Sequence, residues 1–489
     1  MTCWPPARRS ARPACPKASR PACCGAAEVV RLQEGEVLDG FAIGRLLHVG
    51  GMAALWQVTH PDHGEALLMK VPRLAEGEDP AAIVSFEMEQ MILPRLTGPH
   101  VPRFVASGGF DRQPYLVMER IPGRSLLPLI DALPLPIDDV ASIGAKVAEA
   151  LDALHRQHVV HLDVKPSNIL MRETGEAVLV DFGLSRHAQL PDLMEEEFRL
   201  PYGTAPYMAP EQVMGVRSDP RSDLFALGAM LYFLVTGTRP FGDPQRLKGL
   251  QRRLWWDPPP PRARRAECPD WLQEIILRCL EVRPERRHPT AAQLAFDLRH
   301  PDQVALTARA AKQRRDGWAT TLRRRFHPDH RVRFDRVAEA TVEDAPILAV
   351  AVDVTEQDDA LATTLRATVG RLLATMPGAR LACLNVLRQN RIALDTTLDD
   401  FGRNKHVQRL VELKHWAAPL GLPEGRITFH VLEAVNPANA LLDYVRMNGV
   451  DHLVMGARAA SLKRKVMGSV SAELAAEAPC SVTVVRARG

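Results

Sequence analysis

At 489 residues the chain has room for two or three folded units, each with its own core. It is 46% hydrophobic and 25% charged with a formal net charge of +4, the balance of a water-soluble globular protein. No apolar run approaches the roughly 18–20 residues of a membrane span, Leu224 to Val235 being too short, and the Arg-, Pro- and Cys-rich start lacks a signal peptide's apolar segment. The eight cysteines are scattered, without histidines at zinc-finger spacing near Cys3, Cys15, Cys23 and Cys24. Reduced thiols and a cytoplasmic location are expected.

Residues 1–36 have little periodic apolar pattern and read as a disordered basic tail. Phe41 to Val58 then reads as two strands joined by Val49-Gly50-Gly51-Met52-Ala53. Lys70, late in the apolar strand Leu67-Leu68-Met69-Lys70-Val71, would point inward and need an anionic partner to offset burial. Glu89, with Glu87 as runner-up, lies on a helical spacing with Leu93 and Leu96. Tyr115 to Ile121 is again strand-like. Next comes His161-Leu162-Asp163-Val164-Lys165-Pro166-Ser167-Asn168, followed by Asp181-Phe182-Gly183. An aspartate, a lysine two residues on and an asparagine five residues on can converge on one phosphoryl-transfer centre. A second aspartate in a glycine turn can supply a metal ligand.

These motifs resemble the eukaryotic-like protein kinases. The resemblance implies a bilobal α+β fold over residues 37–300, with ATP and Mg²⁺ between the lobes. In that family a glycine-rich hairpin, here Val49, Gly50 and Gly51, covers the phosphates. His48 and Ala53 stand at the first and third expected glycine positions, at a cost of about 1–2 kcal/mol if either needs a left-handed backbone. Lys70 would hold phosphates and pair with Glu89. Backbone groups of Glu119 and Ile121 would bind adenine in front of Met118. Asp163 would take the acceptor hydroxyl's proton, and Lys165 would neutralise the transferred group. Asn168 and Asp181 would bind metal. Charge spread over phosphoryl oxygens calls for cations and positioning more than covalent chemistry.

Gly203-Thr204 to Pro210-Glu211 resembles the end of the family's activation segment, Glu211 being expected to pair with Arg287 and Asp223 to be structural. Lys165 and Thr204 imply serine or threonine acceptors. Leu162 replaces the arginine that normally clamps an activating phosphate. Arg186 to Tyr202 contains no serine or threonine and carries Glu195-Glu196-Glu197 instead. Activity is therefore expected not to require phosphorylation there.

Residues 301–343 read as a basic linker with a helix over Val304 to Lys312; its arginines, like those of the tail, read as solvated rather than bound to nucleic acid or membrane. Residues 344–489 alternate strand and helix: strands at Ile347–Asp353, Leu381–Leu387, Ile427–Val431, His452–Met455 and Ser481–Val485, helices at Asp358–Met376 and Asn439–Asn448. With Val454-Met455-Gly456-Ala457-Arg458 and Gly468-Ser469-Val470-Ser471, this unit resembles the universal stress protein family, an α/β parallel-sheet fold. Ala459 stands where nucleotide-binding members have a second glycine. The unit is either a nucleotide sensor or a non-binding homodimerisation or docking module. The chain as a whole reads as a serine/threonine protein kinase using Mg-ATP on protein hydroxyls. The alternatives are a pseudokinase scaffold and a nucleotide sensor with a vestigial kinase lobe.

Overall fold

The computed structural model describes residues 32–74, 80–198, 201–326, 345–355, 359–389, 398–399, 404–423, 425–457 and 469–486. Most of the N-terminal tail with its four cysteines, and the Arg458, Ala459 and Gly468 positions, lie outside them. The first unit opens with an antiparallel sheet. Its strands are Val37–Leu38 (β1), Phe41–Val49 (β2), Ala53–His60 (β3), His63–Pro72 (β4), Phe104–Gly108 (β5) and Tyr115–Glu119 (β6), in spatial order β1-β2-β3-β4-β6-β5. Alternation sends Ile43, Val58, Leu67, Met69 and Val117 into one small core. Leu116 and Met118, of opposite parity, join the main core beneath Ala81–Ile92 (α1).

The larger lobe is helical. Its helices are Ile137–His155 (α2), Leu193–Glu197 (α3), Pro210–Val213 (α4), Arg221–Thr236 (α5), Leu247–Leu250 (α6), Asp270–Cys279 (α7) and Ala291–Arg299 (α8). α5 contains the apolar run seen in the sequence and is buried from Ser222 to Val235, ending at Gly237 with φ 70°. α2 buries the stripe Val140, Gly144, Val147, Leu151 and Leu154. Gly144 permits close approach, since a Cβ there would sit 2.8 Å from Leu231. Five short strands then frame the loops that matter: Gly123–Ser125 (β7), Val159–Val160 (β8), Ile169–Arg172 (β9), Ala177–Leu179 (β10) and Arg186–His187 (β11). β7, β9 and β10 form one antiparallel sheet, and β8 pairs with β11. The loops 161–168 and 180–185 are thereby tied at both ends.

The helix expected over Val304 to Lys312 does not form; those residues make turns, and the helix lies at Trp318–Phe326 (α9). The reason is tertiary. Glu274 on α7 accepts the N–H groups of Thr307 and Ala310 at 3.0 and 3.1 Å, and the Thr307 hydroxyl and Arg309 guanidinium as well. The reading of this basic stretch as wholly solvated is also corrected. Arg315 lies over the Trp256 ring at 3.8 Å, and Arg324 pairs with Asp257 and Asp316.

The last unit is a parallel sheet of Ile347–Ala351 (β12), Arg380–Arg388 (β13), Ile427–Ala434 (β14), His452–Gly456 (β15) and Ser481–Val485 (β16), ordered β14-β13-β12-β15-β16. Its helices are Asp359–Thr375 (α10), Lys405–Ala417 (α11), Pro437–Met447 (α12) and Ser469–Glu477 (α13). Leu348 and Val350 pack with Leu365, Val369 and Leu410. Ile347 and Ala349 pack with Leu441, Val445 and Leu474 on the opposite face. Both faces are covered, which is why β12 is a continuous apolar run.

Candidate active site

Strand parity decides where Lys70 points. Leu67, Met69 and Val71 fill the outer core, so Lys70 faces the space between the lobes, its side chain only 16% exposed. Its Nζ lies 2.5 Å from Glu89 Oε2 and 2.8 Å from Asp181 Oδ1. Burial alone would push the Lys70 ammonium down, but the Asp181 and Glu89 charges overcome it and hold it above its ordinary value. Lys70 in turn depresses Asp181, while burial raises Glu89. The second Glu89 oxygen accepts the Phe182 N–H at 3.3 Å. Glu87 points elsewhere, its carboxylate 2.6 Å from Lys414 Nζ.

A second cluster centres on Asp163. Its Oδ1 accepts the Thr204 N–H at 3.0 Å and the Thr204 hydroxyl at 2.7 Å. Its Oδ2 accepts Lys165 Nζ at 2.6 Å and Asn168 Nδ2 at 3.1 Å. Lys165 also donates to Thr204 Oγ1 at 3.0 Å. The two clusters adjoin, because the Val180 N–H donates to the Asn168 carbonyl at 3.0 Å and places Asp181 beside it. Two non-glycine residues here have left-handed backbones, Leu162 (φ 64°) and Asp181 (φ 70°). Strain of that kind, on the order of 1–3 kcal/mol each, persists only where surroundings impose it. Asp223 accepts the Leu162 and His161 N–H groups, both at 2.8 Å, and Gln212 donates to the Leu162 carbonyl at 2.8 Å.

The β2–β3 hairpin closes with the Gly50 N–H donating to the Ala53 carbonyl at 2.9 Å. His48 and Ala53 are not among the residues of positive φ, so their substitution for glycine carries no left-handed strain. Arg73 donates to the Gly50 carbonyl at 3.0 Å, and Val49 and Gly51 stand exposed at the tip. Met118, in the strand that ends at Glu119, and Ile121, two residues past that end, are buried. The Glu119 N–H is taken by the Arg103 carbonyl at 2.8 Å, and Arg172 grips its carboxylate at 2.6 and 3.1 Å, holding it below its usual range.

Glu211 and Arg287 form a fully buried fork at 2.5 and 2.8 Å. Two contributors escaped the sequence reading, and a third, Thr204, entered it only for acceptor specificity. Thr204 bridges Asp163 and Lys165. Arg253, lowered to about 10 by burial, donates to the carbonyls of Ala205 and Met208 and fixes the segment before Glu211. Arg172 braces Glu119. Only Thr204 carried a local signal, its motif; the other two are arginines whose partners lie far away in sequence.

Residues 41–297 match the family model described as protein kinase domain, over half of the chain. The chain belongs to the protein kinase family. Residues 346–486 match the model of the universal stress protein family. The kinase region is 30% identical over 272 residues to the probable serine/threonine-protein kinase PknB of Corynebacterium glutamicum, covering 54% of this chain and 42% of that one. It is 30% identical over 265 residues to the serine/threonine-protein kinase PknB of Mycobacterium leprae, covering 53% and 42%. The chain thus spans less than half the length of these curated relatives. The crystal structure of the Mycobacterium tuberculosis PknI kinase domain is 25% identical, with a TM-score of 0.44, covering 55% of this chain and 99% of that one. Among the described residues, no helix of this chain is long and apolar enough to cross a membrane.

Proposed function

We propose that the protein is a serine/threonine protein kinase that moves the γ-phosphoryl group of Mg-ATP to protein hydroxyls. The kinase domain would span residues 37–300, with a packed extension to Phe326, and the stress-protein-like domain residues 344–489. The observation that carries this reading is the adjacency of two charge clusters, Lys70–Glu89–Asp181 and Asp163–Lys165–Asn168–Thr204, in one cleft. Neither cluster has an evident structural reason to be there, and together they supply what phosphoryl transfer needs.

Lys70, fixed by Glu89, meets the ATP phosphates. Met118 would line the adenine site, the Glu119 carbonyl and Ile121 N–H would be its polar contacts, and the Gly50-Gly51 turn would cover the phosphates. Asp163, oriented by four donors, accepts the proton of the attacking hydroxyl and aligns that oxygen. Lys165 stabilises charge on the group in transit. Asp181 and Asn168 are hard oxygen donors suited to Mg²⁺, which would supply neutralisation of phosphate charge. No cluster of three or more His, Cys, Asp or Glu side chains able to hold a metal occurs among the described residues. An ion held by Asp181 and Asn168 would be completed by the phosphates.

The test is radiolabel transfer from Mg-ATP to a generic basic protein, comparing the wild-type chain with Asp163→Asn. Labelling should fall by at least about 10²-fold, the usual scale of general acid–base contributions. Equal labelling would favour a nucleotide-binding scaffold without chemistry.

A further inference from the structure

The acidic triplet Glu195-Glu196-Glu197 sits on α3, inside a segment with no serine or threonine from Arg186 to Tyr202. A run of three glutamates ordinarily faces water. Here Glu196 is buried, and its partners come from the other end of the chain. Arg380, at the start of β13, contacts Glu196 Oε1 at 2.6 Å, with both side chains only 6% exposed. His430 on β14 lies 2.9 Å from Glu196 Oε2 through Nε2 and 2.9 Å from Glu197 Oε1 through Nδ1. A histidine can donate from both nitrogens only as the imidazolium, and its two carboxylate neighbours favour that form. Tyr444 of α12 donates to Glu196 Oε2 at 3.1 Å, and Asn448 to the Glu196 carbonyl at 3.3 Å. The start of α3 is pinned from its own lobe, where Asp192 caps the helix and is held by Arg217 at 2.6 Å.

The same domain reaches α1. Lys414 of α11 places Nζ 2.6 Å from Glu87 and over the rings of Phe110 and Phe429, at 5.4 and 5.8 Å. Glu87 is two residues from Glu89, the partner of Lys70. Ten of the twelve α1 residues are buried, Glu87 and Glu89 among them. α3 and β4 pack against α1, and Lys414 of the C-terminal domain reaches its Glu87.

We propose that the face formed by α1 and the acidic helix α3 is the docking surface for the chain's own stress-protein-like domain. This docking, rather than a phosphate, holds α1 and the activation segment where Lys70 closes on Glu89. Arg380 and His430 supply in trans to the lobe the cations that Leu162 cannot. The inference rests on the phosphoryl-transfer reading for its activity readout alone.

The test uses the full chain. Lys414→Glu sets a second carboxylate against Glu87 at a position 37% exposed, where the fold tolerates change. The swap Glu87→Lys/Lys414→Glu restores opposite charges. Expected for Lys414→Glu is a labelling rate lower by about fivefold, the scale of a partly exposed ion pair, with faster hydrogen exchange in residues 81–92 and 193–197. The swap should return both readouts to near wild type, which separates lost docking from lost folding. Lys414→Glu that labels as fast as wild type or faster, or a swap that restores neither readout, overturns the proposal. A wild-type chain that transfers no phosphoryl group would instead sink the activity reading, and exchange in the two segments then decides the docking alone.

Discussion

At the scale of single residues, the strongest commitments are buried charges whose neighbours leave no alternative. Arg287 forks onto Glu211, donates to the carbonyls of Glu281 and Arg221, and lies 5.0 Å over the Phe225 ring. Ser222 adds a 2.7 Å bond to Glu211. Removing the arginine strands a carboxylate with no access to water. Arg287→Ala should destabilise the kinase domain by about 3–5 kcal/mol, read from urea unfolding. Arg287→Lys should recover only part, because an ammonium cannot fork. A loss for Arg287→Ala below about 0.5 kcal/mol, the range of inert surface changes, would refute the account. Lys70, Asp163 and Asn168 were legible because their spacing is local and chemically restrictive. Arg253 and Arg172 were not, since an arginine's burial depends on chain that approaches from elsewhere.

At the scale of elements, period-two and apolar-run patterns located all five strands of the parallel sheet, and β2, β3, β4 and β6 but not β1 or β5 of the first sheet, to within a few residues, because burial on one or two faces leaves a direct trace. The failure at Val304 to Lys312 has the opposite cause. Local propensity favoured a helix there, but one buried carboxylate, Glu274, takes the N–H groups that helical bonds would need. The activation segment yields a prediction of its own. The two ends of its helix α3 are held by Arg217 and by Arg380 with His430, and Ser185 is buried with its hydroxyl on the His161 carbonyl. Protein treated with phosphatase should therefore keep its initial labelling rate without a lag. A mapped phosphosite between Arg186 and Tyr202 whose removal abolishes labelling would contradict this.

For the whole molecule, the contact between the two domains carries a pH signature. Burial pulls the His430 imidazole down, but Glu196 and Glu197 outweigh it and raise it from 6.5 to about 9. Burial pushes the Glu196 carboxyl up, yet His430 and Arg380 bring it from 4.5 to about 2. The groups facing His430 are Glu196, Glu197, Thr428 and Tyr444, with Arg380 beside them. The histidine's contribution is complete below about 6.5 and disappears as pH climbs through about 9. That of Glu196 is complete above about 4.5 and disappears on descent through about 2. Protection of residues 193–197, corrected for intrinsic exchange, should fall between pH 7 and 10, and His430→Gln should flatten that step. None of the partners that join the two domains could be paired from sequence, since they stand 184 to 327 positions apart. That separation has a consequence in the cell. A ribosome adding roughly 5–20 residues per second finishes both kinase lobes well before His430 and Tyr444 emerge. A nascent chain therefore spends on the order of tens of seconds with its acidic helix unclasped, and under the proposed docking the Lys70–Glu89 contact is braced only once Tyr444 has emerged.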